Sequence, residues 1–535
     1  MRTPPGVSAT DFAEALQQFA AAIGSQWVFT GEEDIATYRD AYSPLWGEPD
    51  DKVAAAALAP DSVEQIQKIV GIANRYSIPL YTISTGRNLA YGGSAPVYSG
   101  SVILDLKRMN RILEVNEENA FALVEPGVSY FDLYRYLREQ ELKLWIDCPD
   151  PGWGSLVGNA LEHGAGRTPL PYRDHFDAHC GMEVVLANGR VVRTGMGALP
   201  AASTWQQFKY GAGPFVDGIF SQSNYGIVTK MGFWLMPEPV ASISGRIRVP
   251  RHDDVIPLVR ILAHLTYSGL VNCNFMVTSP IFLGPEDAEK SALLDQPGGG
   301  SAADWDRYAA AKGLHFWETE LRFFGPPQVM AAQWEHVKER FSAISGVQFE
   351  QGPMMRFPLT EDQISRLGDL ASLGIPSLNV FTSLGLAMKT ESKPITGHLD
   401  ASPIVPFSGA ALLEAYRVFA RLFREAGVKR SLGFAISYHW RSFIMFQGMQ
   451  LSHDREHNAR VRATYQKVVQ VAAEHGWGTY RTHIAFMDEV ANTYSYNDNA
   501  LLHLHETLKD ALDPNGILAA GRYGIWPKNL RRNRA

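Results

Sequence analysis

Early in the chain, Ser84-Thr85-Gly86-Arg87-Asn88-Leu89-Ala90-Tyr91-Gly92-Gly93 gathers three glycines, three side-chain hydroxyls and a guanidinium into ten residues. Glycines let successive backbone N–H groups converge and come close to a diphosphate. The stretch is not a P-loop, because G-K-[ST] is missing, and no G-x-G-x-x-G occurs in the chain. Alone, such a turn serves equally well as a tight connection between strands. The same chemistry recurs, however, at 152–159 (GWGSLVGN), 164–166 (GAG) and 223–228 (SNYGIV). These segments supply Gly154, Ser155, Gly158 and Asn159, and then Gly226, Ile227 and Val228. Several backbone-rich loops in one N-terminal half point to a long ligand with a phosphate centre, held by main-chain donors.

Titratable groups stand in a few places of interest. Asp147-Cys148-Pro149-Asp150 puts two carboxylates beside the second glycine loop. Either Asp147 or Asp150 could serve as a base or merely shape a turn. His398 lies in the polar segment Thr396-Gly397-His398-Leu399-Asp400-Ala401-Ser402-Pro403, which reads as a loop. His453-Asp454-Arg455-Glu456-His457 fits the H-x-x-E-H metallopeptidase pattern. It opens a heavily charged helix, and a solvated helix start explains it; no metal is assigned. Cys148, Cys180 and Cys273 are far apart, with neither disulfide-framework nor zinc-ligand spacing. A reducing compartment, the cytoplasm, fits them best.

The elements that must position these groups are mixed. Residues 8–23 read as an amphipathic helix with Phe12, Leu16, Phe19 and Ile23 on one face and Gly24 as a stop. Residues 53–59, 78–83, 101–106 and 120–125 read as strands. Ser62 opens a helix in capping-box fashion, with Ile66, Ile69, Val70 and Ala73 inward, and Ser129 opens another. Asn188-Gly189 between 182–187 and 190–193 signals a two-residue hairpin. After Glu238-Pro239 the composition shifts and motifs thin out to about residue 430; residues 296–303 read as an exposed loop. Residues 412–424, 459–475 and 501–512 read as helices. The total of 535 residues calls for two or three domains. A net charge of -7 without a long basic run excludes a nucleic-acid groove or an anionic membrane as partner. No apolar run reaches the ~18 residues of a membrane span, and residues 1–12 carry no secretory signal.

Residues 84–93, 147–150 with the loop after them, 181–197, 213–239, 480–483 and 512–526 together resemble the vanillyl-alcohol oxidase and p-cresol methylhydroxylase family of flavoproteins, in particular its bacterial eugenol-oxidase-like members. The resemblance implies an α+β, two-domain FAD-binding fold with an α+β cap over the isoalloxazine. Residues 1–238 and 486–535 would form the FAD-binding domain and 239–485 the cap. FAD would be held by Ser84, Thr85, Gly86, Arg87, Asn88, Gly92, Gly93, Pro149, Gly154, Ser155, Gly158, Asn159, Gly226, Ile227, Val228, Arg481 and Arg522, and tied covalently to His398. Asp400-Ala401 departs from the Gly-Phe that the family tends to carry after that histidine. The methylhydroxylases attach the flavin to a tyrosine a few residues upstream, and 386–396 has none.

Tyr91, Tyr480 and Arg481 match the family's phenolate-binding trio, and Asp150 matches its active-site carboxylate. Arg167, where eugenol-oxidase-like relatives tend to carry tyrosine, would alter the tolerated substituents if it lined the pocket. The resemblance thus implies an oxidase of para-substituted phenols that passes through a p-quinone methide and returns electrons to O2 as H2O2. The same half-reaction with an electron-carrier protein, or an FAD oxidase of sugars or hydroxy acids, are the alternatives. Relatives are homodimers or larger.

Overall fold

A computed structural model describes residues 2–296, 299–383 and 395–531. Ser8 caps the helix Ala9–Ile23 by accepting from the Asp11 amide, and Phe12, Ala15, Phe19 and Ile23 turn inward. Ser62 caps Val63–Tyr76 in the same way, burying Ile66, Ile69, Val70 and Ala73. The return arm of the expected capping box lands one residue earlier, on the Asp61 amide, which donates to Gln65 Oε1 at 3.0 Å. These two apolar faces share a core with a four-stranded sheet, in the order Val28–Phe29, Ala56–Leu58, Val102–Asp105, Leu80–Ile83. The last three strands are parallel. The glycine-rich stretch leaves the carboxyl end of Leu80–Ile83, the end at which parallel sheets place ligands.

A second, antiparallel sheet runs Ile112–Asn116, Phe121–Val124, Gly226–Trp234, His179–Leu186, Val191–Arg193. Gly189 takes a φ of 80° in the Asn188-Gly189 turn, the left-handed conformation such a hairpin demands. The chain's end returns to the first sheet. The Leu80 amide donates to the Ile517 carbonyl and the Ala519 amide to the Leu80 carbonyl, both at 2.7 Å. Lys509, wholly buried, holds Asp513 at 2.7 Å and the carbonyls of Asn224 and Leu518.

The motif-poor middle of the chain is a nine-stranded antiparallel sheet. Trp317–Phe324 buries every second residue, the period of a half-buried strand. Val255–Tyr267, Pro327–Phe341, Gly409–Ala426 and Arg455–Glu474 share its core with Trp305, Trp317, Trp334 and Tyr416. The exposed loop expected at 296–303 ends sooner, because Ser301 caps the helix Ala302–Ala311; Pro297 and Gly298 lie outside the described residues. So does most of the tyrosine-free stretch 386–396.

One expectation is corrected. His398 is not in a loop but in the strand Ile395–Ala401, opposite Gln450 of Ser442–Ser452. Cys148, Cys180 and Cys273 are free, buried thiols. Among the described residues no helix is long and apolar enough to cross a membrane.

Candidate active site

A cavity of about 670 Å³ opens where the carboxyl end of the parallel sheet meets the nine-stranded sheet. Its wall on the N-terminal side is main chain and small side chains. Ser84, Thr85, Gly86, Arg87, Asn88 and Gly93 line it after the strand, Pro149, Gly154, Ser155, Gly158 and Asn159 beside them, and Gly226, Ile227, Val228 and Arg522 beyond. Gly92 does not line it. Its φ is 113°, and a Cβ there would sit 2.5 Å from Ile484, so its role is the turn itself. At Gly158 a Cβ would meet Ser84 Oγ at 2.2 Å, so a larger residue there must displace the Ser84 hydroxyl from the cavity wall. The opposite wall comes from the nine-stranded sheet, which contributes the apolar Met276, Leu432, Phe434 and Phe446 together with His398 and Asp400.

At one end stands Arg481. Its guanidinium carbon lies 5.4 Å from the ring centre of Tyr91 and 5.2 Å from that of Tyr480. The fork is fixed from behind: Nε donates to the Glu162 carbonyl at 2.6 Å and Nη2 to Asn159 Oδ1 at 2.7 Å. Asn159 is itself held by His175, and His175 by Asp147, at 2.9 and 2.6 Å. Burial is the largest single influence and works against the Arg481 charge, but the four tyrosines around it, Tyr480, Tyr91, Tyr523 and Tyr130, together leave its pKa raised. Burial also pushes Tyr91 and Tyr480 well above the ordinary phenol value, with Arg481 pulling the other way, so both keep their protons. They are not equivalent. Tyr480 Oη donates to the His163 carbonyl at 2.5 Å, whereas Tyr91 Oη has no protein partner among the described residues.

The two candidate carboxylates part company. Asp147 is 2% exposed and takes bonds from His175 and from the amide and hydroxyl of Thr168, so it supports other residues rather than facing the cavity. Asp150 lines the cavity. Burial raises its pKa, Arg167 pulls it down, and Asp369 adds to the rise. Arg167 also lines the cavity, 3.1 Å from Asp150 and 3.2 Å from Asp369.

His398 faces the cavity from its strand, with its ring 5.2 Å from that of Tyr42. Asp400, two residues on and on the same face, sits 3.2 Å from His398 Nε2. His398 Nδ1 and Asp400 Oδ1 are buried without partners. A glycine-walled, hydroxyl-rich cavity that also carries Arg522, His398 and Asp400 fits a ligand with a phosphate centre and a flat polar ring. Two further lining residues, Glu162 and Asp369, escaped sequence reading. Glu162 takes the Tyr523 hydroxyl at 2.8 Å and pairs with Arg522. An acid inside the small-residue run 152–166 was the available signal. The two histidines of the H-x-x-E-H match do not share a helix face: His453 precedes Arg455–Glu474, and His457 Nε2 bonds the Gln450 carbonyl at 2.9 Å.

The FAD binding domain family matches residues 54–195, and the C-terminal domain of FAD linked oxidases matches 391–523. The 4-cresol dehydrogenase [hydroxylating] flavoprotein subunit of Pseudomonas putida is 32% identical over 98% of this chain and 97% of its own. The chain belongs to the vanillyl-alcohol oxidase and p-cresol methylhydroxylase family of FAD-dependent oxidoreductases. Members of that family share its architecture throughout. The 4-ethylphenol oxidase from Gulosibacter chungangensis, in its isoeugenol complex, superposes with a TM-score of 0.85 at 34% identity, over 99% of this chain and 100% of that one. The p-cresol methylhydroxylase with substrate bound gives 0.83 at 31% identity, over 98% and 99%. The α+β, two-domain FAD-binding fold expected of the family is thus the fold observed.

Proposed function

We propose that this protein oxidises para-substituted phenols (4-alkylphenols, 4-allylphenols or 4-hydroxybenzyl alcohols) at the benzylic carbon. The observation that carries the reading is the guanidinium of Arg481 beside the rings of Tyr91 and Tyr480 at one end of the cavity, with the apolar side chains of Met276, Leu432, Phe434 and Phe446 on one wall. A phenol with a pKa of ~10 is neutral at pH 7. A fixed cation and a hydroxyl donor in a dry site favour its anion. The anion pushes electron density toward the para carbon, which eases loss of a hydride and yields a p-quinone methide. FAD, when bound, supplies the hydride acceptor. The residues that would hold it are those of the glycine-walled face with Arg522, and His398 would carry it covalently. Asp150 would then take a proton from the water that adds to the benzylic carbon; a carboxylate whose proton affinity is raised by burial suits that task.

In this reading electrons go to O2, giving H2O2. The 4-ethylphenol oxidase named above supports that acceptor. The 4-cresol dehydrogenase supports an electron-carrier protein instead. The FAD-binding unit is taken as 1–238 with 486–535, the cap as 239–485, and the enzyme as a cytoplasmic homodimer or larger. The test is a panel of 4-alkylphenols and 4-hydroxybenzyl alcohols added to the holoenzyme, with oxygen uptake measured beside dye reduction. Bleaching of the yellow colour by phenols but not by sugars or hydroxy acids is the expected result. Bleaching by non-aromatic substrates alone would overturn it.

A further inference from the structure

Arg167 does not simply occupy volume in the cavity. It lies between two carboxylates, with Nη2 at 3.1 Å from Asp150 Oδ2 and Nη1 at 3.2 Å from Asp369 Oδ1. The three come from separate segments, and their exposure is graded. The side chain of Asp150 is 18% exposed, that of Arg167 25% and that of Asp369 42%, so the row runs from the reacting end to the rim. A cation shared by two anions divides its influence between them, and the outer one is screened by water. The inner pair therefore dominates, and the outer carboxylate adjusts how much of the guanidinium Asp150 receives.

We propose that Arg167 is a positioning residue for the reaction: it ties up Oδ2 of Asp150, leaves Oδ1 for the proton of the attacking water, and with Asp369 as its counterweight fixes the pH range in which Asp150 works as a base. The inference rests on the proposed phenol oxidation and deepens it. In the step concerned, a water oxygen forms a bond to the benzylic carbon of the quinone methide. One water O–H bond breaks and its proton passes to Asp150 Oδ1. The ring's electron pair returns to the phenolate oxygen held by Arg481. No further oxidant is needed. The two neighbours act on Asp150 with opposite sign, Arg167 holding its pKa down and Asp369 pushing it up.

The experiment uses 4-methylphenol, whose one-carbon side chain permits hydration and no desaturation. Single-turnover formation of 4-hydroxybenzyl alcohol by the holoenzyme is followed against pH for wild type, Arg167→Met, Arg167→Lys and Asp369→Asn. Flavin content and circular dichroism confirm that each variant is folded. The ascending limb of the wild-type profile is expected to move up by about 1–3 pH units in Arg167→Met and to return most of the way in Arg167→Lys. In Asp369→Asn it moves down. An infrared band of a protonated carboxyl, present at neutral pH in Arg167→Met and gone in Arg167→Met/Asp150→Asn, reads the same pair without any substrate. Opposite displacements in the two single variants support the inference, because a merely structural role predicts no sign. Identical limbs in all variants, with phenols still oxidised, overturn this inference alone. A wild-type holoenzyme that oxidises no phenol removes the proposed function and this inference with it.

Discussion

Replacing Arg481 by glutamine removes the charge that the phenol reading depends on while keeping a hydrogen-bonding side chain. The guanidinium carbon is 5.2–5.4 Å from the two neighbouring ring centres, and a phenolate oxygen bound at this end of the cavity is taken at a comparable distance. A unit pair at about 5 Å in an effective dielectric of about 20 interacts by roughly 3 kcal/mol. That corresponds to about 2 pH units of phenol ionisation, or about a hundredfold in the anionic fraction at neutral pH. The assay is a pH titration of bound 4-nitrophenol, which is yellow only as the anion, read as a difference spectrum against ligand-free holoenzyme. The wild-type midpoint is expected well below that of the free probe, and the Arg481→Gln midpoint about 2 units higher. Arg481→Lys should keep the midpoint low but weaken binding, because the ammonium cannot reproduce the two bonds to Glu162 and Asn159. Equal midpoints in wild type and Arg481→Gln would refute the electrostatic argument.

Tyr91→Phe should weaken phenol binding and slow benzylic oxidation more than Tyr480→Phe, since the Tyr480 proton is already given to the His163 carbonyl; equal losses would contradict that asymmetry. In His398→Ala, FAD should leave with acid precipitation while the wild-type pellet stays yellow; a pellet of unchanged colour in the variant ends the linkage proposal. Gly158→Val should purify with less flavin, because its side chain displaces Ser84 in the cavity wall, and full flavin occupancy would refute that role for the contact. Burial and the Arg481 charge push the His163 imidazole down to about 4, so its contribution to stability is present above pH 6.5 and is lost as pH falls toward 4. The loss is about 3 kcal/mol, seen as a steeper fall of Tm with acid in wild type than in His163→Gln; parallel curves would refute it.

Much of the N-terminal half was legible because its signals are local. Ser8, Ser62 and Ser129 cap the helices they announce, and Asn188-Gly189 turns the hairpin it announces. The nine-stranded sheet was not, because its strands pair across long separations and their partners cannot be read from neighbours. The strand that holds His398 was missed for a sharper reason. Thr396-Gly397-His398-Leu399-Asp400 has the composition of a loop, yet Gly397 is there because a Cβ would lie 2.5 Å from the Tyr42 ring. The glycine records a packing demand made by a residue over three hundred positions away. Asp147 and Asp150 are the same residue type three apart, and only their surroundings separate the supporting group from the cavity-lining one. The glycine loops and the Tyr91, Tyr480, Arg481 group were found because their residue types are chemically unusual in combination. Arg167 was singled out by type; its two anionic neighbours needed coordinates.

The strand Leu80–Ile83 ends in the loop that begins the cofactor wall, and its first residue is clasped on one edge by Ile517 and Ala519. Residues 517–519 are therefore a structural part of a site whose first residues are made some four hundred and thirty positions earlier. Until residues 517–519 have been made, that edge of Leu80 is open. A chain cut before residue 517 is expected to purify colourless.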